Sequence, residues 1–264
     1  MTVSDESKAV IVEDIGDGVW VFSINRPRTL NALNSEIVQQ LKEAFDAASK
    51  SASARVILLT GKGKAFAAGA DISALVNFTP EEAMAFSRSG YELFNMIEGA
   101  SQPIIAVLNG YALGGGLELA LSCDFRFAAE NVQVALPEIL LGIIPGFGGT
   151  QRLPSIVGHA RAKDMILTGR KLDAAEALNW GLIHRVFPAD RLLEESVSFA
   201  RDLAAQSRNA LGCAKQVLNS SRSLPPQEGL EIENQALGRC FRHDDSREGM
   251  RAFLEKRKPN FKKQ

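Results

Sequence analysis

Several ingredients that define common protein classes are scarce in this 264-residue chain. It has three cysteines, Cys123, Cys213 and Cys240, widely spaced and without a C-x-x-C pair. That excludes a disulfide framework or a zinc-ribbon spacing and predicts reduced thiols in a cytosol-like, cytoplasmic setting. The three histidines, His159, His184 and His243, stand apart from one another and from the cysteines, so no metal site is expected. Charge of one sign is lacking too. A net charge of -1 leaves no global field for gripping nucleic acid or an anionic membrane. No apolar run approaches the roughly 20 residues of a membrane span. The stretch Met1 to Lys8 is polar and acidic, without the apolar core of a signal peptide.

What remains is the composition of a soluble globular protein, 45% apolar and 23% charged, long enough to bury a sizeable core. Strand-like and helix-like segments alternate along the first half. Val10–Val12 and Val19–Ile24, separated by Gly16-Asp17-Gly18, read as a hairpin. Asn34-Ser35 caps a helix with Ile37, Val38, Leu41, Phe45 and Ala48 at helical spacing. Val56–Thr60, Ile104–Leu108 and Phe125–Ala128 read as buried strands. Thr79-Pro80-Glu81-Glu82 is a capping box opening a helix whose apolar face carries Ala83, Phe86, Leu93, Phe94 and Ile97. A second capping box at Asp173–Glu176 starts a short helix ending at Trp180-Gly181, and further helices are predicted near 190–205, 207–220, 226–240 and 245–257. The expectation is an α/β core over 1–200 and a helical region over 201–264 suited to subunit contacts. No sequence repeat is visible.

Common chemical motifs fail on residue type. Gly110–Gly116 has glycine where a phosphate-binding loop needs lysine, Gly146–Gln151 lacks the last glycine of a dinucleotide fingerprint, and no G-x-S-x-G elbow occurs. Two small-residue segments instead follow apolar strands: Lys64–Ile72, and Asn109–Leu119 with its triplet Gly114-Gly115-Gly116. Glycine and alanine leave backbone N–H groups uncovered, and a helix N-terminus adds unpaired donors. Two such donors meeting at one point would make an oxyanion hole; the same segments also suit plain tight strand-to-helix turns. Glu118, two residues past the last of these glycines in an otherwise apolar stretch, is expected to be desolvated, and so is Glu138 within Leu136–Gly142. Lone buried acids need a partner or a task, and two at one substrate could divide acid and base work. Spacing alone does not bring them together.

The chain resembles the crotonase (enoyl-CoA hydratase/isomerase) superfamily. The resemblance rests on Asn25–Leu33, Ala65–Ile72, Asn109–Glu118 with Cys123-Asp124, Pro137–Leu153 and Arg247–Arg257, in family order over nearly the whole chain. It implies a ClpP-like spiral of ββα units, a C-terminal helical trimerisation region and a homohexamer built as a dimer of trimers. It implies hydration of a 2-enoyl-coenzyme A thioester, with coenzyme A part of the substrate and no separate cofactor. Ala68 and Gly115 would supply the oxyanion N–H groups, Glu118 would activate water and Glu138 would protonate the α-carbon. Isomerases of the superfamily mostly keep only the acid matching Glu138, so hydratase is favoured over isomerase or a non-catalytic scaffold. Coenzyme A would lie along Ala67, Ala70, Asp71, Ile72 and Leu113, near Arg28 and a neighbouring subunit's Lys256, although both cations also suit a solvated surface. The acyl end would meet Leu75, Val76, Leu117, Leu136 and Phe147. Ala135-Leu136 and Phe147 depart from the familiar pattern, and Phe147 either narrows the pocket or fills core.

Overall fold

In the computed structural model, residues 8–221 and 224–261 are described. Met1–Ser7, Lys262 and Lys263 lie outside them. The chain runs through β1 (Val10–Asp14), β2 (Val19–Ile24), α1 (Ser35–Lys50), β3 (Val56–Gly61), β4 (Ala65–Ala68), α2 (Ile72–Leu75) and α3 (Pro80–Gly99). Next come β5 (Ile104–Leu108), β6 (Tyr111–Leu113), α4 (Gly115–Leu121), β7 (Phe125–Ala129) and β8 (Gln133–Ala135). A 3-10 turn at Glu138–Leu141 leads into α5 (Gly149–Val157) and α6 (His159–Thr168). After β9 (Leu172–Asp173), α7 (Ala174–Asn179) and β10 (Arg185–Phe187) come α8 (Leu192–Ala204), α9 (Arg208–Ser220), α10 (Pro226–Arg242) and α11 (Asp244–Leu254).

The strands form two sheets. One has the order β1-β2-β3-β5-β7-β10, parallel except for the β1–β2 hairpin; the other has the order β4-β6-β8-β9, parallel except for β8–β9. Successive turns of chain repeat one plan: β3-β4-α3, β5-β6-α4 and β7-β8-α5 each give one strand to each sheet and then a helix. This is the expected spiral of ββα units. Its repeat is topological and not sequential, because each turn needs only an apolar strand, a second small-residue strand and an amphipathic helix. The segments read as turns at Ala65–Ala68 and Tyr111–Leu113 are therefore short strands of the second sheet.

Local signals are honoured where capping chemistry is strong. Asn34 accepts from the Ile37 N–H, and Thr79 and Glu82 form the reciprocal box. At α7 only half of the predicted box forms: Asp173 accepts from the Glu176 N–H, while the Glu176 carboxylate is claimed by Arg170. A bidentate guanidinium outcompetes a single backbone N–H for a carboxylate.

The main core lies between the two sheets and helices α1, α3 and α4, with Phe22, Phe66 and Phe94 fully buried. A second apolar layer covers the other face of the large sheet, where Leu192, Ala200 and Ala204 of α8 meet Val21, Leu58, Ile105 and Phe127. The predicted boundary at residue 200 thus falls inside a helix of the core, and the outlying helices begin with α9. That helix is tied back by Lys215, whose buried ammonium donates to Asp124 Oδ2 at 2.7 Å and to the carbonyls of Ile97 and Gln102. Asp124 Oδ2 also accepts from the Ile104 N–H. Among the described residues no helix is long and apolar enough to cross a membrane.

Candidate active site

The spiral brings its second-sheet strand ends and its helix starts to one place. Close approach of α4 to β4 depends on Gly116, where a Cβ would sit 1.9 Å from the Ala67 carbonyl oxygen. At Gly114 a Cβ would come within 2.7 Å of Glu138 Oε1 and 3.4 Å of Gly69 Cα, so three separate segments meet around that one glycine. Between them lies an apolar cavity of about 250 Å³, reached by Ala70, Gly115, Glu118, Glu138 and Phe147. The two glutamates, twenty residues apart in sequence, both face it.

Their environments differ. Glu118 is 1% exposed, and its Oε1 accepts two backbone N–H groups, from Phe147 at 2.8 Å and Gly149 at 2.7 Å. Burial pushes its carboxyl up from the ordinary range, against the pull of those two donors and of the Arg152 guanidinium. Glu138 has no such cradle: its Oε2 is buried without a hydrogen-bond partner. Burial pushes Glu138 up to about 7; its own backbone N–H opposes the rise and the neighbouring Glu118 carboxylate adds to it. One acid is thus held by donors that favour its charged form, while the other is poised to carry a proton near neutrality.

The backbone donors require one correction. The Ala68 N–H already donates to the Leu30 carbonyl at 3.0 Å, so it is not available to a ligand. Gly69 donates to Leu113, and Asp71 to Leu33, whose own N–H donates to Gly69. This parallel bridge of Leu33 beside Ala70 turns the Ala70 N–H away from the Leu33 strand, and it has no acceptor among the described residues. Ala70, not Ala68, therefore offers the free donor that lines the cavity, opposite Gly115 at the first position of α4. The Leu30 carbonyl is held in place by a loop in which Leu30 and Asn31 both have positive φ, and buried Asn31 donates to Lys62 and Ala65 while accepting from Arg26.

Other predicted residues sort by burial. Ile72, Leu75 and Phe147 line the cavity. Leu117 and Leu136 are fully buried behind it in the core, where α4 and the strand end need apolar packing. Val76 does not line it and is 74% exposed at the end of α2. Ala67 is buried under Gly116, Leu113 is a strand residue whose carbonyl aligns Gly69, and Asp71 caps α2 by accepting from Ser73. Arg28 and Lys256 are exposed, Arg28 in the 3-10 turn Pro27–Thr29 and Lys256 just past α11, and neither reaches this cavity within one chain. Phe86, which the helical pattern assigned to the core, contributes to the cavity wall, as do Ile143 and Ile144. The exposed apolar run Ile143-Ile144 was the available signal for the latter pair.

The Phe147 ring is 4% exposed and packs edge-on against Phe86 and Phe94, with centroids 5.2 and 5.5 Å away. It fits because α3 carries Gly90 beneath it; a Cβ there would lie 2.3 Å from the ring. The side chain both fills core and forms part of the cavity wall, so the two readings open at the sequence level hold together.

Comparison with known proteins agrees with this geometry. Residues 14–264 match the family model described as enoyl-CoA hydratase/isomerase, and the chain belongs to that family. Among its relatives, it is 42% identical to the crotonyl-CoA hydratase of Syntrophomonas wolfei over 91% of this chain and 93% of that protein. It is 39% identical to the short-chain-enoyl-CoA hydratase of Clostridium acetobutylicum over 96% and 97% of the respective chains. The crystal structure of an enoyl-CoA hydratase from Bacillus anthracis superposes with a TM-score of 0.94 at 38% identity, covering 97% of this chain and all of that one. The crotonase fold expected from the sequence is the fold observed.

The raised Glu138 acid has a thermodynamic consequence. A group whose folded-state pKa lies above its unfolded value stabilises the fold fully below the unfolded value, and that contribution is lost as pH rises through the folded one. Glu138→Gln should therefore gain stability relative to the wild type between pH 4.5 and about 7, by about 2–3 kcal/mol in total, as the wild type ionises. Urea unfolding of both proteins across pH 4.5–8.5 measures this; a stability difference independent of pH would show that Glu138 titrates like an exposed acid.

Proposed function

We propose that this chain is an enoyl-CoA hydratase, a hydro-lyase that reversibly adds water to a trans-2-enoyl-CoA to give a 3-hydroxyacyl-CoA. The observation that carries this is the pair of buried glutamates facing one apolar cavity beside two unpaired backbone donors. The thioester oxygen would accept from the Ala70 and Gly115 N–H groups, which stabilise it as negative charge develops. Each such donor is typically worth about 10²–10³ in rate. Glu118 takes a proton from water as the water oxygen bonds to C3, and protonated Glu138 delivers its proton to C2. One O–H bond and one C=C π bond are lost, and one C–O and one C–H bond form. As a close pair, the two acids titrate together, and exchange with solvent after product release restores the starting protonation.

Coenzyme A rests on this reading as the carrier of the acyl group, with Ile72 beside the cavity and Arg28 and Lys256 as candidate phosphate partners in the assembled protein. A homohexamer arranged as a dimer of trimers fits the apolar side chains that α9 to α11 leave exposed, among them Leu218, Leu230, Leu237, Phe241 and Phe253. A monomer rarely exposes so many large apolar residues on one region without a partner. Sedimentation velocity should show a particle of six chains; a stable monomer at micromolar concentration rejects the assembly.

Loss of ultraviolet absorbance from crotonyl-CoA, with 3-hydroxybutyryl-CoA as product, tests the activity. Glu118→Gln should lower turnover by about 10²–10⁴ with the fold retained. A double-bond shift in place of hydration, or near-normal turnover in the variant, would sink the assignment.

The small cavity and its Phe147 wall point to short acyl chains. In Phe147→Ala the ratio of kcat/KM for a ten-carbon enoyl-CoA to that for crotonyl-CoA should rise about tenfold or more, since each buried methylene is worth roughly 0.8 kcal/mol. An unchanged ratio would mean that the ring serves packing alone.

A further inference from the structure

The two N–H groups that cradle Glu118 come from alternate residues of one turn, Phe147-Gly148-Gly149. The peptide planes on either side of Phe147–Gly148 each donate to Glu118 Oε1, so the middle plane must point its carbonyl elsewhere. It points at Arg152, whose Nη1 donates to the Phe147 oxygen at 3.1 Å. Gly148 makes this geometry possible with φ of +100°, and a Cβ there would lie 2.3 Å from Arg152 Nη1. The rest of the guanidinium is fully used on α3: Nη2 donates to Asn95 Oδ1 at 2.7 Å, and Nε and Nη2 both reach Glu98 Oε2. Its side chain is only 9% exposed.

We infer that Arg152 is a positioning residue for the Glu118 carboxylate, locking the middle peptide of the Phe147–Gly149 turn so that both flanking N–H groups converge on one oxygen. An ion pair between Arg152 and Glu98 alone would only tie α5 to α3. The bond to the Phe147 carbonyl adds a second action, on the turn itself. A third follows from charge. The titratable and charged groups facing Glu118 are Glu138 from the 3-10 turn and Arg152 from α5; Arg152 lowers the Glu118 carboxyl, while the Glu118 charge raises that of Glu138. Arg152 thus opposes the rise that burial imposes on the Glu118 carboxyl. This rests on reading Glu118 as the base that activates water.

The test uses Arg152→Gln and Arg152→Lys in the full-length assembled protein. Titration of the Glu118 carboxyl is followed by carbon-13 NMR of glutamate-labelled protein, assigned with Glu118→Gln, alongside kcat and KM on crotonyl-CoA. In Arg152→Gln the Glu118 titration should move up by about one pH unit. Its kcat should fall about 10–100-fold, with KM held within about twofold. Arg152→Lys should restore the titration but not kcat, because an ammonium cannot reach Phe147, Asn95 and Glu98 in one planar fork. An unmoved Glu118 titration in folded Arg152→Gln overturns the inference. Should that variant not fold, wild-type kcat in Arg152→Lys overturns it instead. If the wild type does not hydrate crotonyl-CoA, the activity assignment fails while the NMR titration still decides the role of Arg152.

Discussion

A carboxylate at 1% exposure costs several kcal/mol to bury unless its charge is met by donors. Glu118 meets that cost with two backbone N–H groups from a turn thirty residues further along the chain. Much of the surrounding architecture follows from this requirement. The turn must be glycine-rich to present alternate N–H groups to one oxygen, and it must be anchored from behind. α4 must start with glycines so that it can lie against β4 and place Glu118 at the meeting point. Glu138 then sits close enough for the Glu118 charge to raise its carboxyl but receives no cradle, and two chemically identical side chains are left with different hydrogen-bonding environments.

The outline was legible in the sequence to the extent that local chemistry decides it. Caps at Asn34 and Thr79, the hairpin at Gly16-Asp17-Gly18 and the apolar strands β3, β5 and β7 all stand where residue type placed them. The short strands β4, β6 and β8 did not show themselves, because three or four residues carry no readable period and exist as strands only through their neighbours in the second sheet. The helix α5 was hidden for a related reason: glycine and Pro154 obscure a nine-residue amphipathic pattern.

The site followed the same division. Glu118 and Glu138 announced themselves as acids stranded among apolar residues, and family resemblance supplied their roles. Which backbone donor faces the cavity could not be read from the motif alone. In Ala67-Ala68-Gly69-Ala70 every residue has a small side chain, and which N–H stays free depends on the pairing of Leu30 and Leu33, more than thirty residues upstream. Residues predicted for the acyl pocket divided by depth: Leu117 and Leu136 turned inward, and the opposite wall came from Phe86 on α3 and from the Ile143-Ile144 loop.

Lys215 reaches from α9 into the core to meet Asp124, just beyond the helix that carries Glu118. Separating them would strand two opposite charges in an apolar setting, so α9 cannot peel away as an independent flap. Helix α9 and the strand end at Ile104, both bonded to Asp124 Oδ2, are therefore held as one unit. Opening that frees α9 from Asp124 would therefore also loosen the end of β5 at Ile104, just beside the helix that carries Glu118.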